Sequence, residues 1–140
     1  MYPQGRRWRM VILLMMILGV WSVPLAAQDG GDEPPVTVID ALGNEVTITD
    51  TSRIITIGGA VTETVYALGL GDHIVAVDES SIYPPEAQDL PVVGYLRFLS
   101  AEPVLSVNPT LIIATEDAGP DETVQQLEAA GVTFLLVPAD

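Results

Sequence analysis

Five short apolar runs follow one another from residue 54 onward: IITIG (54–58), HIVAV (73–77), LPVVGY (90–95), TLIIAT (110–115) and VTFLLV (132–137). None of them alternates apolar and polar residues for long. A strand of that composition has to be covered on both faces, as in a parallel sheet flanked by helices. The intervening segments supply the cover. AVTETVYALGLGD carries Val61, Val65 and Leu68 at helical spacing and ends at Gly69 or Gly71. Ser100 can cap a short helix that has Glu102 in its first turn and that Asn108-Pro109 ends. Asp121 can cap another, with Val124 and Leu127 turned inward and Gly131 as its stop. Strand and helix in alternation predict an α/β lobe built on a doubly wound, mainly parallel sheet. Tyr83-Pro84-Pro85 cannot lie inside a regular helix, so the connection from 58 to 83 is expected to end in a loop and a short turn at 86–88.

Ahead of the sheet, VTVID-ALGN-EVTIT alternates on both sides of a Gly-Asn turn and reads as a β-hairpin. QDGGDEPP (28–35) has the polar, Gly- and Pro-rich composition of a disordered leader. Residues 1–27 follow the order of a secretory signal peptide: three arginines, an apolar run from Met10 to Leu18, then small residues at Ala26 and Ala27. An uncleaved anchor is the competing reading, but Ser22 and Pro24 interrupt the segment well short of the roughly 20 apolar residues a spanning helix needs. Cleavage near Ala27 implies a periplasmic location. With no cysteine, the chain can carry neither a disulfide nor a lipid on an N-terminal Cys. Removal of 1–27 leaves Arg53 and Arg97 against all 19 acidic residues, a formal charge of −17. So acidic a surface repels phosphate backbones and argues against a nucleic-acid partner. The 140 residues suit one domain, 36–140, after the leader.

In a doubly wound sheet the ligand crevice lies outside the carboxyl ends of the strands. That places the loops 59–62, 79–83, 95–99 and 116–120 on one rim, and with them Gly59, Tyr83, Tyr95, Arg97 and Phe98. Gly59 can admit a close backbone approach to a ligand, or simply make a tight strand-to-helix turn. GGAVTE lacks the third glycine of a dinucleotide fingerprint and the chain has no lysine, which argues against nucleotide binding. His73, the single histidine, sits at the far end of its strand and has a structural role; one His and no Cys exclude an ordinary zinc site and a Ser-His triad. Tyr95 and Arg97 follow a buried run and project from the rim. A phenolate is a known ligand of ferric haem iron, and a neighbouring guanidinium favours the ionised phenol. Equally, the tyrosine can pack on the rim while the arginine pairs with a local acid. Phe98 and Leu99 suggest an apolar ligand face. Glu102 reads as a partner of the helix dipole.

The run from Arg53 to Pro120, and above all GYLRFLSAE, resembles the N-terminal lobe of periplasmic substrate-binding proteins of ABC importers, the class whose two α/β lobes are joined by one long helix, and within it the haem-binding members. The resemblance implies that Tyr95 is the axial ligand to haem iron, that Arg97 is the arginine interacting with that tyrosine, and that Glu102 docks onto an arginine of the membrane permease. It implies ferric haem as the transported ligand and no reaction of the protein's own. Family members continue into a connecting helix and a second lobe, so the resemblance makes residues 36–140 the expected counterpart of the N-terminal lobe, without the connecting helix and second lobe; one lobe would leave a haem face open to water, so weak binding by these residues alone is expected. A siderophore- or cobalamin-binding member of the same class is the alternative. An enzyme would have to use a carboxylate base such as Glu63, Glu116 or Asp117, for which the sequence offers no partner. A lobe retained only for interaction is a third alternative.

Overall fold

The computed structural model describes residues 34–139. The expected signal peptide at 1–27, and the expected leader up to residue 33, lie outside the described residues. The hairpin is present: β1 (Val36–Ile39) pairs antiparallel with β2 (Glu45–Ile48). Its turn is organised by Asp40, whose carboxylate accepts the backbone N–H groups of Leu42 and Asn44 at 2.9 and 2.7 Å, while Gly43 takes the positive φ of 86° that a side chain would strain.

The main sheet holds β3 (Ile54–Ile57), β4 (Ile74–Val77), β5 (Leu111–Thr115) and β6 (Thr133–Val137), all parallel, in the order β4-β3-β5-β6. Its two faces bury different sets of side chains, as the unbroken apolar runs require. Ile55, Ile57, Ile112, Ala114 and Phe134 pack with Val104 of α2 (Ala101–Ser106) and Leu127 of α3 (Asp121–Ala129). On the other side, Ile74 and Val77 pack with Val61 and Val65 of α1 (Gly59–Ala67). Each fully buried isoleucine contributes about 1.5–3 kcal/mol to holding these layers together. Helices on both faces make the sheet doubly wound. The third apolar run is an exception, because 90–95 forms no strand. Val92 makes a single bridge to Val77, supported by bonds from Val77 N to the Pro91 carbonyl (3.0 Å) and from Val93 N to the Val77 carbonyl (2.9 Å). Pro91 has no N–H to extend a ladder and Gly94 sits at φ 119°, so pairing at this edge ends as soon as it begins.

Helix ends also differ from expectation. Leu68 lies just past α1 and is exposed, with Gly69 beyond it at φ 80° ending the helix. Ser100 precedes α2 without a side-chain cap bond, and the N-cap of α3 is Pro120, with Asp121 already helical. Two short 3-10 turns, Gly71–His73 and Pro85–Asp89, fill the connections around β4. At the amino-terminal end of the sheet, Arg53 donates to the carbonyls of Asn108 (2.9 Å) and Val107 (2.6 Å), satisfying backbone groups left open at the end of α2. His73 Nδ1 meets the Thr51 carbonyl at 2.8 Å, a structural contact remote from the rim.

Candidate functional site

β3 leads through α1 to β4 on one side, and β5 leads through α3 to β6 on the other. The connections leaving these two adjacent strands therefore diverge, which defines a crevice at their carboxyl ends. Gly58 lies at its base. A Cβ there would meet the Thr115 side chain at 3.0 Å, and its φ of 108° is closed to most side chains. At Gly59 a Cβ would stand 2.9 Å from the Ser80 carbonyl oxygen, so the glycine is needed for contact with a neighbouring loop.

The loops of the rim are sewn together laterally. In the first pair, the carboxylate of Asp78, 1% exposed, accepts Gly58 N–H (2.9 Å) and Ser81 Oγ (2.6 Å) on one oxygen, and Ser80 N–H (3.1 Å) and Ser80 Oγ (2.7 Å) on the other. Ser81 spends its proton on Asp78, so Thr62 Oγ1, 2.6 Å away, donates to Ser81, and Thr56 Oγ1 donates in turn to Thr62 at 2.7 Å. A buried carboxylate thus has its charge met by four donors and by the amino-terminal end of α1. Sequence reasoning missed Asp78. The signal was there in Asp78-Glu79-Ser80-Ser81, an acid and two hydroxyls directly after a strand, which is the composition of a side-chain-closed turn.

Glu79 N–H donates to the Gly94 carbonyl at 3.0 Å, carrying the stitching on to the loop at 95–99. Phe98 N–H closes a turn onto the Tyr95 carbonyl (2.8 Å). Gly119 then ties that turn to the loop at 116–120, donating to the Leu96 carbonyl (2.9 Å) and accepting from Leu99 N–H (2.8 Å). Across the same two loops, Arg97 Nε and Nη2 both donate to Asp117 Oδ2, at 3.0 and 2.5 Å, and Thr115 Oγ1 holds Asp117 Oδ1 at 2.7 Å. Arg97 therefore donates to an acid rather than to the Tyr95 hydroxyl, the second of the two sequence readings. Its guanidinium is held above its ordinary value by the hydrogen bond and charge of Asp117, then by the attraction of Tyr95. The Asp117 carboxyl is held below its ordinary value by Thr115 and by Arg97.

Tyr95 is 37% exposed and Phe98 79%, with ring centroids 6.1 Å apart and planes tilted by 31°. They form an aromatic ledge on the rim. Leu99, expected beside them, is instead buried in the core against α2 and α3. Tyr83 is exposed but belongs to another feature, an open cleft of about 510 Å³ along α1 whose walls include Glu63, Tyr66, Asp72 and Glu86. There burial, then Glu86, Asp72 and Asp89, hold the Tyr66 phenol above its ordinary value. Glu102 is exposed in the first turn of α2. Glu63, Glu116 and Asp117 do not converge: Glu63 lines the cleft, Glu116 meets Ala139 N–H at 3.5 Å, and Asp117 is taken by Arg97 and Thr115.

This architecture is that of a ligand-binding lobe, and residues 54–140 match the periplasmic binding protein family. The chain belongs to that family. It is 32% identical, over 93% of its length, to an uncharacterized ABC transporter substrate-binding lipoprotein, YvrC, of Bacillus subtilis, covering 44% of that protein. It is 41% identical to a vitamin B12-binding protein of Vibrio cholerae over 59% of this chain and 30% of the relative. Among solved structures, the apo periplasmic heme-binding protein RhuT of Roseiflexus sp. RS-1 superposes with a TM-score of 0.61 at 49% identity, over 64% of this chain and 34% of RhuT. The chain thus spans less than half the length of each of these relatives.

Proposed function

We propose that the rim binds ferric haem, as the N-terminal lobe of a haem-binding component of an ABC importer, with the Tyr95 phenolate as axial ligand to the iron. The observation that carries this reading is the ledge of Tyr95 and Phe98: a solvent-accessible phenol beside an exposed apolar ring, on the rim of the switch point, with the rim's arginine two residues on. A hard phenolate oxygen suits ferric iron, and Phe98 offers a flat porphyrin the apolar contact it needs. The 49% identity to a heme-binding protein supports the same ligand. Gly59 acts here through rim geometry, packing on Ser80, whereas Tyr83, which lines the separate cleft along α1, has no part in this reading. Glu102, exposed in the first turn of α2, is proposed as the docking residue for an arginine of the membrane permease, and delivery takes place on the periplasmic side of the membrane.

Titration of ferric haem into the full chain, followed in the visible spectrum, tests the assignment. A tyrosinate-to-iron charge-transfer band is expected, and Tyr95→Phe abolishes it. A spectrum unchanged by Tyr95→Phe favours the second reading, a corrinoid ligand held by aromatic and polar contacts, for which the identity to vitamin B12-binding relatives speaks.

A further inference from the structure

Arg97 is one of two arginines in residues 34–139, and the other, Arg53, is bonded to backbone carbonyls at the opposite end of the sheet. Among the described residues it is therefore the rim's one cationic side chain. Two of its N–H groups are spent on a single oxygen of Asp117, whose second oxygen is anchored to Thr115, the last residue of β5. A guanidinium has five N–H donors, so part of the fork remains available to a ligand, but the charge it offers is already cancelled. The loops carrying the pair are held together independently by the two Gly119 backbone bonds, so Asp117 is not needed to keep them adjacent. Both side chains stay solvent-accessible, at 60% for Arg97 and 34% for Asp117.

We propose that Asp117 is a positioning residue that sets how strongly the rim attracts carboxylate-bearing ligands: it tethers Arg97 to the Thr115 anchor and neutralises it, so that a ligand carboxylate must compete with Asp117 for the guanidinium. The inference rests on the haem reading only for the identity of the carboxylates, which in haem are the two propionates. A cavity or core role for Asp117 would affect all ligands alike, whereas this role discriminates between ligands by charge.

Two measurements on the full chain test it. Propionate is titrated into wild type, Asp117→Asn and Arg97→Gln while the Arg97 Nε–H resonance, or in Arg97→Gln the Phe98 amide, is followed by NMR. Asp117→Asn keeps a partner for Thr115 and is expected to bind propionate about fivefold more tightly, and Arg97→Gln to lose the response. Equal propionate affinity in wild type and Asp117→Asn overturns the proposal. Ferric haem and its dimethyl ester, which lacks the carboxylates, are then compared: the preference for haem over the ester is expected to rise about fivefold in Asp117→Asn. An unchanged preference with the tyrosinate band intact also overturns it. Absence of that band in wild type counts against the haem reading alone, and the propionate result then decides the role of Asp117.

Discussion

The rim has two halves, each organised by a carboxylate that joins neighbouring loops, and they are built in opposite ways. Asp78 is buried, accepts four hydrogen bonds and has no cationic partner among the described residues, and a hydroxyl relay through Ser81, Thr62 and Thr56 continues its network into α1 and β3. Asp117 lies in solvent's reach, holds one arginine and one threonine, and sits on loops that backbone bonds already secure. A buried acceptor surrounded by donors is costly to remove because each donor is then stranded away from water. An exposed ion pair exchanges readily with water and adds little to stability. The first half therefore shapes the crevice, and the second is free to respond to what enters it.

Asp78→Ala should have the largest effect on that contrast, a loss of roughly 3–5 kcal/mol in urea unfolding, since several buried donors lose their acceptor together. A loss under 1 kcal/mol would mean that water replaces the carboxylate and that the halves are not different in kind. Gly59→Ala comes next: its Cβ would press on the Ser80 carbonyl at 2.9 Å, and backbone has little room to yield, so roughly 1–3 kcal/mol is expected. Thr62→Val retains shape but cuts the relay between Thr56 and Ser81, at about 1–2 kcal/mol. Asp117→Asn should leave the urea midpoint close to that of wild type at neutral pH. Its small effect has a defined pH dependence. Because Thr115 and Arg97 depress the Asp117 carboxyl in the folded state, its contribution is fully present above the unfolded-state value of about 3.9 and is lost as pH falls through the folded value. The difference between wild type and Asp117→Asn should therefore shrink as unfolding is measured from pH 5 downward. A difference that grew on acidification would contradict the pairing.

Sequence patterning was most informative where burial is local and periodic. Among the described residues, the hairpin, the four strands of the sheet and the three α-helices were legible because each element's pattern of apolar side chains reflects which faces are covered. It failed at 90–95, where apolar content suggested a strand but Pro91 and Gly94 limit pairing to a single bridge. The alternation of strands and helices put the segments 59–62 and 95–99 at the carboxyl ends of the strands, but 59–62 is the first turn of α1 rather than a loop, and Leu99, expected on the ligand face, turns its side chain into the core. The residues bonded across the loops were not legible. Asp78 meets Gly58 across 20 positions and Arg97 meets Asp117 across another 20.

By itself, then, the sequence determined the α/β layering and the hairpin in front of it, since both follow from repeating local choices between apolar and polar residues. Tertiary structure alone decided which acid is buried and which is paired with Arg97, and so what charge the rim presents to a ligand. Hydrogen bonds and ion pairs form between groups within about 3 Å of each other, and nothing in the order of residues along a chain states which distant loops will come that close.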